Sequence, residues 1–400
     1  MKLWIVDKTR LFMVLSMFTF TLYILSFYFN FTIYDLLRFK RITVEYSRLT
    51  NTTKKILFWN TMFGDKTFYM GDGDVFLECP VNNCYATYDR DYVDLVEFDA
   101  VLFHANELEI SDLPERRSPW QWYVFVNLES PTNRPLINNF YEDYFNLTMT
   151  YRLDSDITWN YGIVRDANNE RIVAPSKNPV WNAFNNQLGE HEKVEESKNI
   201  RRKTKPIVWF VSNCMAESGR EKYVNELAKY MQVDVYGKCG RMSCPFSKDC
   251  FAEVTEPNYF FYLSFENSLC NDYVTEKLYN ALRYDVVPIV YSGANYSLFA
   301  PPRSYINVLD FDSPRDLAKY LKKLIENPKE YNEFFAWKRY YKIDSGTQQA
   351  ACDLCKLLHE RKEPQMYNRM TEWYSESKCP LQKFLNYQGY ITGSIIKRKD

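Results

Sequence analysis

The run Tyr259-Phe-Phe-Tyr-Leu-Ser-Phe-Glu-Asn-Ser-Leu-Cys-Asn-Asp-Tyr-Val-Thr-Glu-Lys277 decides the reading of this chain. Tyr259 to Phe265 is aromatic and apolar enough for a buried strand. Past it, Thr275 to Arg283 sets Leu278, Ala281 and Leu282 at helical spacing. The residues between form a loop that leaves a strand and opens a helix. A helix start carrying Lys277, with Glu276 beside it and Tyr273 before it, suits a nucleotide diphosphate. Free N–H groups and the lysine charge face the phosphates, the carboxylate takes ribose hydroxyls, and the ring packs on the base. The same residues also describe an ordinary capped, solvated helix end. The rest of the chain has to decide.

Working outward, Pro206 to Val211 is a strand that exits through Ser212-Asn213 into a helix carrying Tyr223, Leu227 and Tyr230. Val233 to Tyr236, Val286 to Tyr291 and Ile306 to Leu309 add strands, and Ser313-Pro314 opens a helix with Leu317, Tyr320, Leu321 and Leu324 inward. Towards the N-terminus, Lys55 to Asn60, Asp99 to Phe103 and Trp122 to Leu128 are strands, the last leaving through Asn127-Leu-Glu-Ser-Pro131. Strands alternating with helices predict mostly parallel sheets. Between Asn182 and Lys205 the chain turns polar and loses periodicity, which marks a boundary between two α/β units facing a cleft.

Four hundred residues with a formal net charge of -1 allow two or three domains and give no global field for nucleic acid. The basic stretch Lys198 to Lys205 is short enough to be a solvated linker. Leu11 to Tyr34 is an apolar run without a charge, long enough to span a bilayer and without an evident cleavage motif after it. It reads as a signal anchor, and both its flanks are basic, so the charges do not orient it. Orientation comes from ten cysteines, all beyond the anchor and even in number, as suits disulfides in an oxidising lumen. Asn51, Asn146 and Asn295 head glycosylation sequons that agree, whereas the sequon at Asn30 lies in or against the membrane.

Four segments together resemble the α1,3-fucosyltransferase family, closest in pattern to its invertebrate and core-type members. They are Asn127-Leu-Glu-Ser-Pro-Thr132, Tyr151-Arg-Leu-Asp-Ser-Asp-Ile157, Val211-Ser-Asn213 running to Arg220 and Tyr223, and Phe261 to Ser268 running into Asp272 to Lys277. The likeness spans roughly Ile56 to Leu358 in the family's motif order. It implies an α/β fold of GT-B type: two Rossmann-like domains facing a cleft, behind a single N-terminal transmembrane helix. On that plan residues 1–10 are a cytoplasmic tail, 11–34 the anchor, 35–54 a stem and 55–190 the acceptor-side domain. Residues 191–205 are then a linker, 206–345 the GDP-fucose domain, and 346–400 a C-terminal segment returning to the first domain.

In the family the donor is GDP-L-fucose and the anomeric configuration inverts. The resemblance implies Glu129 as catalytic base, Arg220 and Lys277 on the diphosphate, Glu276 on the ribose, Tyr273 at the base end, and Asn267 and Asn213 on the donor. Glu266 is open between a second anion near the sugar and a tie for Ser268 or a backbone N–H. Glu129 by itself could equally cap its loop or pair with Arg134. His104 reads as acceptor-facing or as a loop residue with no catalytic part.

Asp154-Ser-Asp156 invites a metal, but two cations already fill that role, so both aspartates read as structural. No metal or cofactor is required, while stimulation by Mn2+ or Mg2+ stays open. Cys352-Asp-Leu-Cys355 could be half a zinc site or a redox motif. The resemblance instead implies disulfides joining Cys79 and Cys84 to Cys352 and Cys355. The expected function is transfer of fucose to an N-acetylglucosamine of N-glycans in the Golgi, by a type II membrane protein. The alternatives are a catalytically silent glycan-binding relative and a transferase for antennal, Lewis-type acceptors.

Overall fold

The computed structural model describes residues 53–136, 139–181, 202–245, 247–361, 363, 365–376, 378–385 and 389–397. The expected tail, anchor and most of the stem, with Asn51, lie outside the described residues, as does most of the expected linker. Among the described residues no helix is long and apolar enough to cross a membrane. Every described element belongs to the compact unit Lys54–Asp400.

The first sheet comprises β1 (Lys54–Phe58), β2 (Cys84–Thr87), β3 (Ala100–His104), β4 (Trp122–Asn127), β5 (Leu147–Thr150) and β6 (Ile157–Thr158), in the order β2-β1-β3-β4-β5-β6. Then come β7 (Ile163–Asp166) and β8 (Ile172–Ala174). The second sheet comprises β9 (Lys205–Phe210), β10 (Val233–Tyr236), β11 (Tyr259–Phe265), β12 (Val287–Tyr291) and β13 (Ile306–Asn307), in the order β10-β9-β11-β12-β13. Every pair within these two sheets is parallel. Strand order turns back between β1 and β3 and again between β9 and β11. In open α/β sheets such turning points open a crevice at the carboxyl ends of the strands, where ligands bind.

All seven residues of β11 are buried, as a strand covered on both faces requires. Phe261, Leu263 and Phe265 pack with Tyr223 and Leu227 of α1 (Arg220–Leu227). Ser264 faces the other way and donates to the Lys277 carbonyl at 2.9 Å, pinning the first turn of α2 (Glu276–Arg283) over the sheet. Leu278, Tyr279, Ala281 and Leu282 bury that helix. Further on, Ser313 caps α3 (Pro314–Glu326), accepting the Asp316 N–H, and Leu317, Leu321 and Leu324 seat it in the core shared with α1 and β11.

The crossing between the halves comes earlier than the expected boundary after residue 190. β7 pairs antiparallel with both β8 and β14 (Tyr341–Asp344), and Val164, Val173 and Ala174 share a core with Leu278, Tyr279 and Leu282 of α2. The chain has therefore changed partners by Gly162. Only glycine fits there, because a Cβ would lie 2.3 Å from the Tyr279 ring.

The expectation for residues 346–400 also needs correcting. α4 (Thr347–Glu360) packs Ala350, Ala351, Leu354 and Leu358 against Ile56, Phe58 and Leu102 of the first sheet. Disulfides Cys79–Cys352 and Cys84–Cys355 fasten it there. Met370 and Tyr374 of α5 (Met370–Ser375) cover the sheet's opposite face. Tyr390 and Ile391, however, join the core of the second sheet, where the Ile391 N–H donates to the Tyr291 hydroxyl at 2.9 Å. The segment serves both halves rather than the first alone. The other cysteines pair as Cys214–Cys239, Cys244–Cys250 and Cys270–Cys379.

Candidate active site

Glu129 sits on the loop leaving β4. Its N–H donates to Asn127 Oδ1 at 2.9 Å, and its carbonyl accepts from the Tyr374 hydroxyl at 2.9 Å. Both backbone groups are thus held, which leaves the carboxylate to aim. Its Oε2 accepts from Asn133 Nδ2 at 2.6 Å and from the Tyr273 hydroxyl at 3.3 Å. Arg134 is not the partner; Asn133 is. One residue on, Ser130 Oγ and Ser268 Oγ lie 2.6 Å apart with neither side chain exposed. The loops after β4 and after β11 are thereby stitched directly to each other.

On the β11 side, Glu266 is wholly buried and accepts from the Thr275 N–H at 2.8 Å and from the Thr275 hydroxyl. The backbone tie expected of it is present, to Thr275 rather than Ser268. Lys277 Nζ lies 3.2 Å from Glu266 and 3.2 Å from Glu276, and donates to Thr275 Oγ1 at 2.8 Å. Burial raises the Glu266 pKa above the usual carboxylate range. Burial works against the Lys277 ammonium, yet Glu266 and Glu276 beside it hold its pKa above the ordinary lysine value. Glu276 stays half exposed, with a carboxylate able to accept from a ligand hydroxyl.

Arg220 is buried at the turning point between β9 and β11. Its Nη1 donates to the Phe265 carbonyl at 2.7 Å, its Nη2 to the Asn213 carbonyl at 2.9 Å and its Nε to Glu221 at 3.1 Å. A guanidinium has five N–H donors, so two remain for an anion. Asn213 itself is exposed on the loop after β9. The Asn267 carbonyl accepts from the Ser218 N–H at 2.9 Å, and its buried Oδ1 has no hydrogen-bond partner among the described residues.

The Tyr273 ring is buried edge-on to Tyr151, with centroids 5.0 Å apart, and its hydroxyl points at Glu129. Burial pushes that phenol well above its ordinary pKa, so it remains a proton donor to the carboxylate. Asn146 is no exposed sequon. Its Oδ1 accepts from the Tyr123 N–H at 2.8 Å and its Nδ2 donates to the Gln365 carbonyl at 2.7 Å, leaving the amide buried. Asn295, by contrast, is exposed. His104 is the buried last residue of β3, with Nδ1 3.1 Å from the Thr61 carbonyl; burial lowers its pKa to about 4.

Asp156 accepts from Thr148, Arg361, Gln365 and Tyr367, and Asp154 pairs with Arg152, so both are occupied structurally. Among the described residues one group of side chains has metal-ligand spacing, Cys84, Cys355 and His359, and its two sulfurs are joined in a disulfide.

Sequence reasoning gave no part to Thr275, Ser130 or Tyr161. Tyr161 packs at once against the first sheet, α2 and the Tyr151–Tyr273 pair, and donates to the Leu128 carbonyl at 2.7 Å. The signal that could have found it is its place immediately before Gly162.

Residues 51–162 match the family described as "Fucosyltransferase, N-terminal", and residues 200–373 match "Glycosyltransferase family 10 (fucosyltransferase) C-term". Over 355 residues the chain is 38% identical to "Alpha-(1,3)-fucosyltransferase C" of Drosophila melanogaster, covering 84% of this chain and 81% of that protein. This chain belongs to the family 10 fucosyltransferases. It is accordingly a glycosyltransferase. This family 10 chain is also 33% identical over 335 residues to "Glycoprotein 3-alpha-L-fucosyltransferase A" of Drosophila melanogaster, covering 79% of this chain and 59% of that protein. It is 34% identical over 334 residues to "4-galactosyl-N-acetylglucosaminide 3-alpha-L-fucosyltransferase 9" of Bos taurus, covering 80% and 81%. A crystal structure of an α1,3-fucosyltransferase, 17% identical, shares the fold with a TM-score of 0.50 over 79% of this chain and 92% of that one.

Proposed function

We propose that this enzyme transfers L-fucose from GDP-β-L-fucose, with inversion, to the 3-hydroxyl of an N-acetylglucosamine on an N-glycan. The names of the Drosophila relatives support both the reaction and a glycoprotein acceptor. The apolar run Leu11 to Tyr34 and five disulfides support a lumenal catalytic unit on a single-pass Golgi anchor. The two doubly wound sheets support a GT-B arrangement with the donor at the β9/β11 turning point.

The observation that carries the reading is the seam: Glu129 contacts the donor-side loop through the Tyr273 hydroxyl, and Ser130 bonds to Ser268 beside it. An inverting transfer needs a carboxylate to take the acceptor proton opposite the departing GDP. Glu129 does this, with Tyr273 and Asn133 fixing its orientation. Negative charge grows on the diphosphate as the C–O bond breaks, and Lys277 with the two unused N–H groups of Arg220 stabilises it more in the transition state than in the ground state. Asn267, with its unmatched Oδ1, takes a donor hydroxyl, and Glu276 takes the ribose hydroxyls.

The test is Glu129→Gln. An amide cannot accept the proton, so transfer falls by roughly 10²–10⁴-fold, while GDP affinity stays unchanged. GDP release from GDP-fucose with an N-glycan panel measures the first, and calorimetry the second. Wild-type turnover in the variant removes Glu129 as base.

A further inference from the structure

A cavity of about 570 Å³ opens on the C-terminal segment, with none of the expected donor residues in its lining. Tyr367, Trp373, Asn368, Arg369, Glu372, Glu376 and Lys378 line it, together with Met366. Its volume falls within the roughly 300–1,000 Å³ of small-ligand pockets. The reaction proposed above does not use it.

Its chemistry points in one direction. Tyr367 and Trp373 meet edge-on with ring centroids 5.4 Å apart. Arg152, itself buried, lays its guanidinium 3.8 Å from the Trp373 centroid and also donates to the Trp373 carbonyl, so the indole is held rigidly from one side. Around these rings stand two carboxylates, an amide, a guanidinium and an ammonium. The charges balance, which disfavours a phosphate or nucleic-acid ligand and leaves donors and acceptors for neutral hydroxyls. Flat rings bordered by such groups suit sugar residues, whose faces are apolar and whose edges are polar.

The location points the same way. Tyr374, the residue after Trp373, holds the Glu129 carbonyl, and the Lys378 carbonyl accepts from the Asn271 N–H at 2.7 Å in the loop that leads to Tyr273. The segment that lines the cavity is thereby tied to both loops of the seam.

We infer that this cavity is a second carbohydrate subsite, holding neutral sugar residues of a branched acceptor beyond the one being fucosylated. The inference rests on the glycan-transfer reading. The experiment compares Trp373→Ala with the full chain in detergent, using a neutral biantennary N-glycan and the minimal acceptor diacetylchitobiose. Saturation-transfer NMR without donor reads binding, and steady-state kinetics read transfer. Trp373→Ala should raise KM for the biantennary glycan by about tenfold, with kcat and the KM for GDP-fucose unchanged and chitobiose transfer unaffected.

Asn368 and Glu376 are exposed, so Asn368→Ala with Glu376→Ala is the companion variant should loss of the indole disturb folding. It should show the same selective rise. A KM for the large glycan that stays at the wild-type value in the folded variant overturns the subsite, as does an equal loss with chitobiose. Should the wild type transfer fucose to neither glycan while Trp373-dependent NMR contacts persist, the transfer reading fails and the subsite stands.

Discussion

Lys277→Ala separates two jobs that the proposed function gives to one side chain. In the folded protein the ammonium balances Glu266, which has no exposure and whose carboxylate, among the described residues, has the Thr275 N–H and hydroxyl as its other partners. Removing the lysine strands that buried carboxylate, and breaking a buried pair from one side costs about 3–5 kcal/mol. The burial that already raises the Glu266 pKa lets it take up a proton instead, which places the loss toward the lower figure. On the proposed function the same substitution removes a charged hydrogen bond to the diphosphate, about 1.5–3 kcal/mol, or roughly 10- to 150-fold in Kd for GDP.

Adding Glu266→Gln distinguishes the two losses. The glutamine oxygen still accepts from Thr275 and buries no charge, so the double variant should regain most of the stability in a chemical denaturation series. Its GDP affinity, measured by calorimetry, should stay as weak as that of Lys277→Ala. If GDP affinity returns with stability, Lys277 is a structural counter-ion and the phosphate assignment is wrong. If Lys277→Ala alone unfolds no earlier than wild type, the Glu266 argument is wrong.

His104 should make stability pH-dependent. Its folded pKa of about 4 lies below the ordinary 6.5, so its contribution is complete above pH 6.5 and is lost as pH falls toward 4. Between pH 7 and pH 5 this amounts to about 2 kcal/mol, and denaturation curves of His104→Asn should lack that part of the slope. Glycopeptide mapping should find Asn295 occupied and Asn146 bare, and Asn146→Ala should lower stability by about 1–3 kcal/mol because the Tyr123 N–H loses its acceptor. Ser130→Ala and Ser268→Ala should each cost about 1–3 kcal/mol. The double variant should cost less than their sum, with a coupling of at least about 0.5 kcal/mol in a double-mutant cycle; strict additivity would mean that the 2.6 Å contact does not form in solution.

What could be read along the chain was whatever repeats locally. The strand Tyr259–Phe265 and the helix after it follow from apolar spacing, and the order of strands and helices pointed to parallel sheets. Glu266, Glu276 and Lys277 could be placed near one another because a single loop carries them.

Tertiary structure decided what depends on distant partners. Tyr273 and Glu129 are 144 residues apart, and only packing turns that phenol toward the carboxylate. Asn146 carries a legitimate sequon, yet its amide is buried because Tyr123 and Gln365 meet there. Val164 and Val173 are apolar whichever core receives them, so nothing local says that they join α2 after Gly162. Periodicity records that a side chain is buried; which surface buries it is set by contacts closed across long stretches of chain, and those exist only once the two sheets have come together.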